Sequence, residues 1–194
     1  MNSFKHTGDF TLESGFTLPE IEIAYTTYGK LNADKSNVVW VCHALTANSD
    51  AADWWDGVVG TDHVIDPEKY FIVCANILGS CYGSTGPLSV NPVTKQPYYN
   101  NFPLLTIRDM VKAHILLRQH LGIAKIFLLM GGSMGGYQAM EWCVMENTVI
   151  ENLLLLATSA SESAWGIATH TAQRLSLEAD STWNTASATA GAKG

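Results

Sequence analysis

The chain has 194 residues, with 11 Lys and Arg against 18 Asp and Glu, which gives a net charge of −7. Nucleic acids and anionic membrane surfaces repel such a chain, so this charge argues against both as partners. Hydrophobic residues make up 47% and charged residues 15% of the sequence, which is enough apolar material for the buried core of one domain and excludes global disorder.

Neither a secretory signal nor a membrane-spanning segment is predicted. The first ten residues (MNSFKHTGDF) contain no apolar stretch. No apolar run approaches the roughly 18 residues that a membrane span needs. The cysteines show neither a C-x-x-C pair nor zinc-ligand spacing, and most lie in or beside apolar runs. We therefore expect reduced, mostly buried thiols in a cytoplasmic protein; they are Cys42, Cys74, Cys81 and Cys143.

The predicted elements alternate between strands and helices from the middle of the chain onwards. Strands are predicted over residues 20–28, 37–42, 70–75, 125–130 and 152–157, and helices over residues 106–121 and 134–145. Most of the strands are apolar at nearly every position, which is typical of a parallel sheet covered on both faces. Thr106 and Asp109 resemble a capping box at the start of the first helix, and Gly122 marks its end. This order predicts an α/β fold.

The strongest functional signal is the sequence GGSMGG over residues 131–136. It contains G-x-S-x-G, it follows an apolar strand and it opens a helix, which is the context of a nucleophile elbow centred on Ser133. A glycine-rich turn without a catalytic role and a phosphate-binding loop are the alternatives. The segment has no lysine for a P-loop and does not fit the dinucleotide pattern G-x-G-x-x-G.

A second signal is CHALT over residues 42–46, which follows the first long apolar strand. In a fold with a nucleophile elbow, the loop at this place supplies one oxyanion N–H, and the residue after the serine supplies the other. We therefore expect the backbone N–H groups of Leu45 and Met134 to form the oxyanion hole. His43 precedes Ser133, whereas the base of such folds follows it, so His43 is predicted to position the loop. No cation flanks Cys81, and no histidine pattern indicates a metal site.

Four segments together resemble the homoserine O-acetyltransferase family: residues 21–32, 42–60, 66–87 and 131–142, with a further similarity over residues 172–180. The resemblance implies an α/β-hydrolase fold with a mostly parallel sheet and helices on both faces. It also implies transfer of an acetyl group from acetyl-CoA, through an acyl-Ser133, to the hydroxyl of L-homoserine in methionine biosynthesis. Acetyl-CoA would be a co-substrate, with no permanently bound cofactor and no metal. A homodimer of the complete protein is compatible with the resemblance.

The catalytic base and its orienting acid are not assigned to this chain. The one histidine after Ser133 is His170, and no Asp lies between the two. The resemblance places the triad Asp and His beyond residue 194. We therefore expect residues 1–180 to be the N-terminal part of a catalytic domain that lacks its lid and last strands. Residues 181–194 would be a polar tail leading toward that absent lid.

Three functions remain open at this point. The first is the acyltransferase, and the second is a serine esterase or hydrolase of the same fold that uses water as acceptor. The third is a non-catalytic binding or assembly module. Acetyl against succinyl as the donated group, and homoserine against serine as acceptor, also stay open.

Overall fold

The structure is a computed structural model, and it describes residues 1–185. The strands, in chain order, are β1 (Asn2–His6), β2 (Phe10–Thr11), β3 (Thr17–Leu18), β4 (Ile21–Tyr28), β5 (Val38–Cys42), β6 (Phe71–Ala75), β7 (Ile126–Gly132) and β8 (Ile150–Leu156). The helices are α1 (Ala51–Trp54), α2 (Ile107–His120), α3 (Met134–Met145) and α4 (Ala164–Glu178), with one 3₁₀ turn at Tyr99–Asn101.

Six of the strands form one sheet in the order β1-β4-β6-β5-β7-β8, and β2 pairs with β3 in a separate hairpin. Strands β6, β5, β7 and β8 run parallel to one another, whereas β4 is antiparallel to β6 and β1 is antiparallel to β4. The prediction of an α/β fold with a mostly parallel sheet is confirmed.

Each predicted strand and helix is present, with ends within two residues of the expected ones. Four features have no counterpart among the predicted elements: β1, the β2–β3 hairpin, α1 and α4. Strand β1 has the sequence NSFKH and lies at an edge of the sheet, so it carries little of the apolar signal of a buried strand. Helix α4 has a usable signal that was overlooked, because Ser163 caps it by accepting from the N–H of Gly166.

Strand β5 is apolar throughout because both faces of the sheet are covered. Val38, Trp40 and Cys42 belong to the core beneath α2 and α3. Val39 and Val41 belong to a second core, which includes Ala51 of α1 and apolar residues between 54 and 65. Alternate side chains of one strand thus enter two different cores.

Helix α2 begins and ends as its sequence predicts. The Thr106 hydroxyl accepts from the N–H of Asp109 at 3.2 Å, and the Asp109 carboxylate accepts from the N–H of Thr106 at 3.2 Å. This is the reciprocal arrangement of a capping box. Gly122 ends the helix in a left-handed conformation with φ of 65°.

Ion pairs join α2 to α3 near both ends of α2. Arg118 donates to the Glu146 carboxylate at 2.8 Å, and Arg108 donates to Glu141. Because the Arg118 side chain is 9% exposed, the first pair is largely desolvated and removal of either partner would leave a buried charge. These contacts hold the middle and the C-terminal end of α3 against α2.

His114 lies in the core between two tryptophans. Its ring centroid is 5.9 Å from those of Trp40 and Trp142, which themselves meet edge to face at 5.0 Å. Neither ring nitrogen of His114 has a hydrogen-bond partner within residues 1–185. Burial, together with the nearby His43, lowers the pKa of His114 to about 3. The histidine is therefore a neutral core residue.

The outer edge of β8 has no neighbouring strand within residues 1–185. Four consecutive leucines of this strand, residues 153–156, are 36–40% exposed. Strand β8 is therefore an exposed edge of the sheet within residues 1–185. Of the predicted polar tail, residues 186–194 lie outside the described residues. No helix among residues 1–185 is long and apolar enough to cross a membrane.

The pKa of His114 predicts a specific loss of stability in acid. The unfolded chain takes up a proton at this histidine near pH 6.5, whereas the folded chain takes it up only near pH 3. The free energy of unfolding therefore falls as the pH decreases from 6.5 toward 3, by about 1.4 kcal/mol per pH unit. His114→Phe removes this titrating group. The free energy of unfolding, measured with urea at pH 4, 5 and 6, should therefore fall less steeply with decreasing pH in the variant than in wild type.

His120→Phe is the matched control, since it changes an exposed histidine of the same helix that stacks on Phe4. In His120→Phe the free energy of unfolding should fall with decreasing pH as steeply as in wild type, because His114 is retained. At pH 8, His114 is neutral in both the folded and the unfolded chain. The difference in the free energy of unfolding between wild type and His114→Phe at this pH therefore reports the effect of the two unpartnered ring nitrogens. Equal slopes for wild type and His114→Phe would contradict the assignment.

Candidate active site

Ser133 lies at the sharp turn between β7 and α3. Its backbone has φ of 52° and ψ of −124°, a conformation that a residue with a side chain rarely adopts. The residue is exposed, and within residues 1–185 its hydroxyl has no hydrogen-bond partner. The turn thus holds the serine in a strained conformation with a free hydroxyl, as a nucleophile elbow does.

Two glycines allow the turn to be this tight. A Cβ added to Gly135 would lie 2.0 Å from the carbonyl oxygen of Cys42, and one added to Gly131 would lie 2.2 Å from the carbonyl oxygen of Gly135. Both distances are far below van der Waals contact, so any side chain at these positions would force the backbone apart. The first turn of α3 consequently packs directly on the end of β5.

The N-terminus of α3 begins at Met134, directly after the serine. The first N–H groups of a helix have no carbonyl partner inside the helix, and the helix dipole adds positive character there. An oxyanion formed beside Ser133 Oγ would therefore find donors at this end of α3.

The loop after β5 starts beside the same turn. The Gln138 side-chain amide of α3 donates to the carbonyl oxygens of His43, at 3.4 Å, and Met134, at 3.3 Å. Leu45 lies two residues beyond His43, with a relative exposure of 66%. The structure therefore brings the beginning of this loop to the elbow, and Leu45 follows on its exposed part.

His43 connects the loop after β5 to the loop after β6. The side chain is buried; its Nδ1 donates to the Ala44 carbonyl at 2.8 Å, and its Nε2 accepts from the N–H of Ile77 at 3.3 Å. Burial lowers the pKa of His43, although the Ala44 carbonyl partly opposes this by favouring the protonated ring. Both nitrogens are thus occupied in one neutral tautomer, which fits the expected positioning role.

Asn76 makes a second connection between the same loops and was not singled out from the sequence. It is fully buried, and its side-chain amide donates to the Tyr82 carbonyl at 2.7 Å and the Ser49 hydroxyl at 3.3 Å. Its position directly after a buried strand was the available signal. Cys81, in the same loop, is exposed.

His170 lies in α4, where its nearest charged partner is Glu162. Its Nδ1 is 3.7 Å from the carboxylate of Glu162, which also accepts from the Tyr137 hydroxyl at 2.9 Å. Tyr137 and Glu162 line an apolar cleft of about 430 Å³ between α3 and the chain after β8. The acids Glu141 and Glu146 of α3 are paired with Arg108 and Arg118. No hydrogen bond joins any of these groups to Ser133 Oγ within residues 1–185.

The described residues contain no cluster of three or more His, Cys, Asp or Glu side chains placed to hold a metal ion. The groups assembled at the elbow are a serine hydroxyl and backbone N–H groups. These are the components of acyl transfer through a covalent serine intermediate.

Comparison with known proteins agrees with this geometry. A sequence profile of the alpha/beta hydrolase fold family matches residues 37–189. The chain is 50% identical over 184 residues to a homoserine O-acetyltransferase of Cyclobacterium marinum, a match that covers 95% of this chain and 52% of that protein. The chain thus spans about half the length of the relatives it matches.

Two solved structures are similar over nearly the whole chain. A homoserine O-acetyltransferase from Bacillus anthracis has a TM-score of 0.82 and 30% identity, covering 91% of this chain and 51% of its own. An acetylester hydrolase from Corynebacterium glutamicum has a TM-score of 0.87 and 29% identity, covering 99% of this chain and 54% of its own. The profile match covers most of the sequence, and the strand–turn–helix around Ser133 has the geometry of the fold's nucleophile elbow. The chain belongs to the alpha/beta hydrolase fold family.

Proposed function

We propose that this chain is the nucleophile-bearing part of a homoserine O-acetyltransferase. The observation that carries the proposal is the 50% identity to such an enzyme over 95% of the chain, in a sequence whose Ser133 occupies a nucleophile elbow. Acetyl-CoA is the proposed donor and L-homoserine the proposed acceptor, in a step of methionine biosynthesis. No permanently bound cofactor or metal takes part in the proposed reaction.

In the proposed first half-reaction, Ser133 Oγ attacks the thioester carbonyl carbon of acetyl-CoA. A new C–O bond forms, the C–S bond breaks, and a general base moves the serine proton to the departing sulfur. In the second half-reaction the hydroxyl oxygen of homoserine attacks the acyl carbon. A new ester C–O bond forms, the C–O bond to Ser133 breaks, and the base moves the homoserine hydroxyl proton to Ser133 Oγ. Two transfers through an acyl-enzyme replace one difficult direct transfer.

The oxyanion of each tetrahedral intermediate is proposed to be bound by the backbone N–H groups of Met134 and Leu45. For Met134, support comes from its place at the N-terminus of α3, beside Ser133. For Leu45, support comes from the contacts of the preceding His43 with α3. Because both donors are backbone groups, the shapes of the elbow and of the loop determine their position.

The general base and its orienting acid are proposed to come from the part of the relatives' length that this chain does not span. The absence of any hydrogen bond to Ser133 Oγ among residues 1–185 and the pairing of His170 with Glu162 support this assignment. On the same basis we propose that residues 1–180 form the N-terminal part of the catalytic domain and residues 181–194 lead toward a lid. The exposed leucine-rich edge of β8 is where a further strand would pair.

We also propose a cytoplasmic location and a homodimer of the complete protein. The free thiol state of all four cysteines supports a reducing compartment. The homodimer is compatible with the family resemblance.

A serine hydrolase of the same fold is the second candidate, and the similarity to the acetylester hydrolase favours it. Both candidates acylate Ser133 and differ in the acceptor, which is homoserine in one and water in the other. The experiment that separates them therefore measures the dependence on acceptor.

Incubation of the complete protein with acetyl-CoA should release CoA at a rate that depends on the homoserine concentration. Ser133→Ala should lower this rate by about 10³-fold or more, since the covalent intermediate can no longer form. The matched control is Ser14→Ala, at an exposed serine of the β2–β3 hairpin, which should keep the wild-type rate. Free CoA is followed with a thiol reagent.

Release of CoA at the same rate without homoserine would reject the transferase and support the hydrolase. Full activity of Ser133→Ala would reject Ser133 as the nucleophile. CoA release at the uncatalysed rate in both wild type and Ser133→Ala would reject both enzymes and leave the binding module. Replacing acetyl-CoA by succinyl-CoA, and homoserine by serine, in the same assay determines the donor and the acceptor.

The close packing of α3 on β5 can be tested by adding a methyl group at Gly135. Gly135→Ala places a methyl group 2.0 Å from the Cys42 carbonyl, so the helix N-terminus must move away from β5. We expect a loss of about 1–3 kcal/mol in the free energy of unfolding and at least a tenfold loss in the rate of Ser133 acylation. Gly132→Ala is the matched control, because its added Cβ meets no atom closer than 3.6 Å. Equal effects of the two substitutions on stability and acylation would contradict the role of this contact.

A further inference from the structure

The chain after β8 makes a specific contact with the elbow through Thr158. The Thr158 hydroxyl donates to the carbonyl oxygen of Ser133 at 2.9 Å. The N–H of Ser133 donates to the carbonyl of Leu156, the last residue of β8, at 3.0 Å. Ala157, between them, has a φ of 46°, which turns the chain back toward the elbow. The end of β8 therefore holds both backbone polar groups of Ser133.

The contact is also shaped to fit Thr158. A Cβ added to Gly136 would lie 2.4 Å from Thr158 Cγ2 and 2.6 Å from Thr158 Oγ1. The threonine side chain thus packs directly on the backbone of the first turn of α3, at a position where only glycine leaves room. Because a β-branched side chain has few χ1 rotamers, this packing holds the hydroxyl in the orientation that reaches Ser133.

The same carbonyl oxygen accepts from the N–H groups of Gly136, at 2.9 Å, and Tyr137, at 3.4 Å. These are bonds of the first turn of α3 and come from within the helix. Among residues 1–185, Thr158 is the side-chain donor to this oxygen. It acts on the carbonyl from the segment directly after β8, so the orientation of the elbow depends on the end of β8 as well as on α3.

The carbonyl of Ser133 and the N–H of Met134 belong to one peptide unit. A trans peptide is planar, and its C=O and N–H point in opposite directions. A hydrogen bond that fixes the direction of the Ser133 carbonyl therefore also fixes the direction of the Met134 N–H. The strained φ of Ser133 makes such restraint important, since the unit would otherwise rotate toward a relaxed conformation.

We propose that Thr158 is a positioning residue, which aims the Met134 N–H at the oxyanion by holding the Ser133 carbonyl through its hydroxyl. The proposal rests on the proposed function in taking Ser133 as nucleophile and Met134 as oxyanion donor. It adds a residue that touches neither substrate nor oxyanion. Charge on the oxyanion develops only as the intermediate forms. Loss of Thr158 therefore reduces the stabilisation of the transition state and leaves substrate binding in the ground state unchanged.

Three substitutions at Thr158 separate the hydroxyl from the methyl group. Thr158→Val keeps the shape and removes the hydroxyl, Thr158→Ser keeps the hydroxyl and removes the methyl group, and Thr158→Ala removes both. In the complete protein we expect Val and Ala to lower the acylation rate constant about tenfold, with KM unchanged. Ser should stay within about threefold of wild type.

Acylation is measured by the pre-steady-state release of p-nitrophenol from p-nitrophenyl acetate, and by CoA release from acetyl-CoA with homoserine. The melting temperature of each variant reports the structural effect separately. If Thr158→Val fails to fold, the comparison of Ser with Ala still isolates the hydroxyl, because those two side chains differ by that group alone.

If Thr158→Val and Thr158→Ala both acylate at the wild-type rate, the proposal is overturned. Equal losses in Ser and Ala, or a change confined to KM or to the melting temperature, would overturn it as well, since the side chain would then act by packing. If release of p-nitrophenol depends on Ser133 but acetyl-CoA is not used, the proposed substrates fail and the Thr158 series still decides this proposal. If Ser133→Ala releases p-nitrophenol like wild type, both proposals fall.

Discussion

The close packing of the first turn of α3 on the carboxyl end of β5 is the contact on which the site depends. Gly135 lies so near the Cys42 carbonyl that no side chain fits between them. This approach forces the chain to reverse within one residue, and Ser133 takes the strained conformation. Since β7 lies between β5 and β8 in the sheet, the turn that follows β7 is held from both sides. Cys42 and His43 contact it on one side, and Leu156 and Thr158 on the other.

The loops around this turn are connected by side chains that are buried and uncharged. His43 bridges the loops after β5 and β6 with both ring nitrogens engaged, and Asn76 joins the same loops at Ser49 and Tyr82. A protonated His43 would direct an N–H at the N–H of Ile77, so the bridge requires the neutral ring. Burial, which lowers the pKa of His43, favours that form. The loop that carries Leu45 is in this way fixed to its neighbour at its base.

The sequence predicts the parts of this arrangement that depend on residues close to one another along the chain. Buried parallel strands such as β5 are apolar at every residue, a helix start such as Thr106 with Asp109 has its own pattern, and G-x-S-x-G identifies Ser133. Contacts between distant segments carry no such pattern. Thr158 is 25 residues from Ser133, and His43 is 34 residues from Ile77. Nothing in the residues around Thr158 indicates that its hydroxyl reaches the elbow, because that contact exists only once β7 and β8 have paired.

The two edges of the sheet differ in a way that bears on the reaction. The edge at β1 is polar, whereas the edge at β8 exposes consecutive leucines. Ser133 lies next to the β8 side and is exposed among the described residues. Transfer to homoserine requires that water be kept from the acyl-serine, and hydrolysis requires that water reach it. In the proposed function, the elbow would serve either acceptor, and the choice between them would depend on what covers Ser133 from the β8 side. The strained turn at Ser133 is itself set by the packing of α3 on β5.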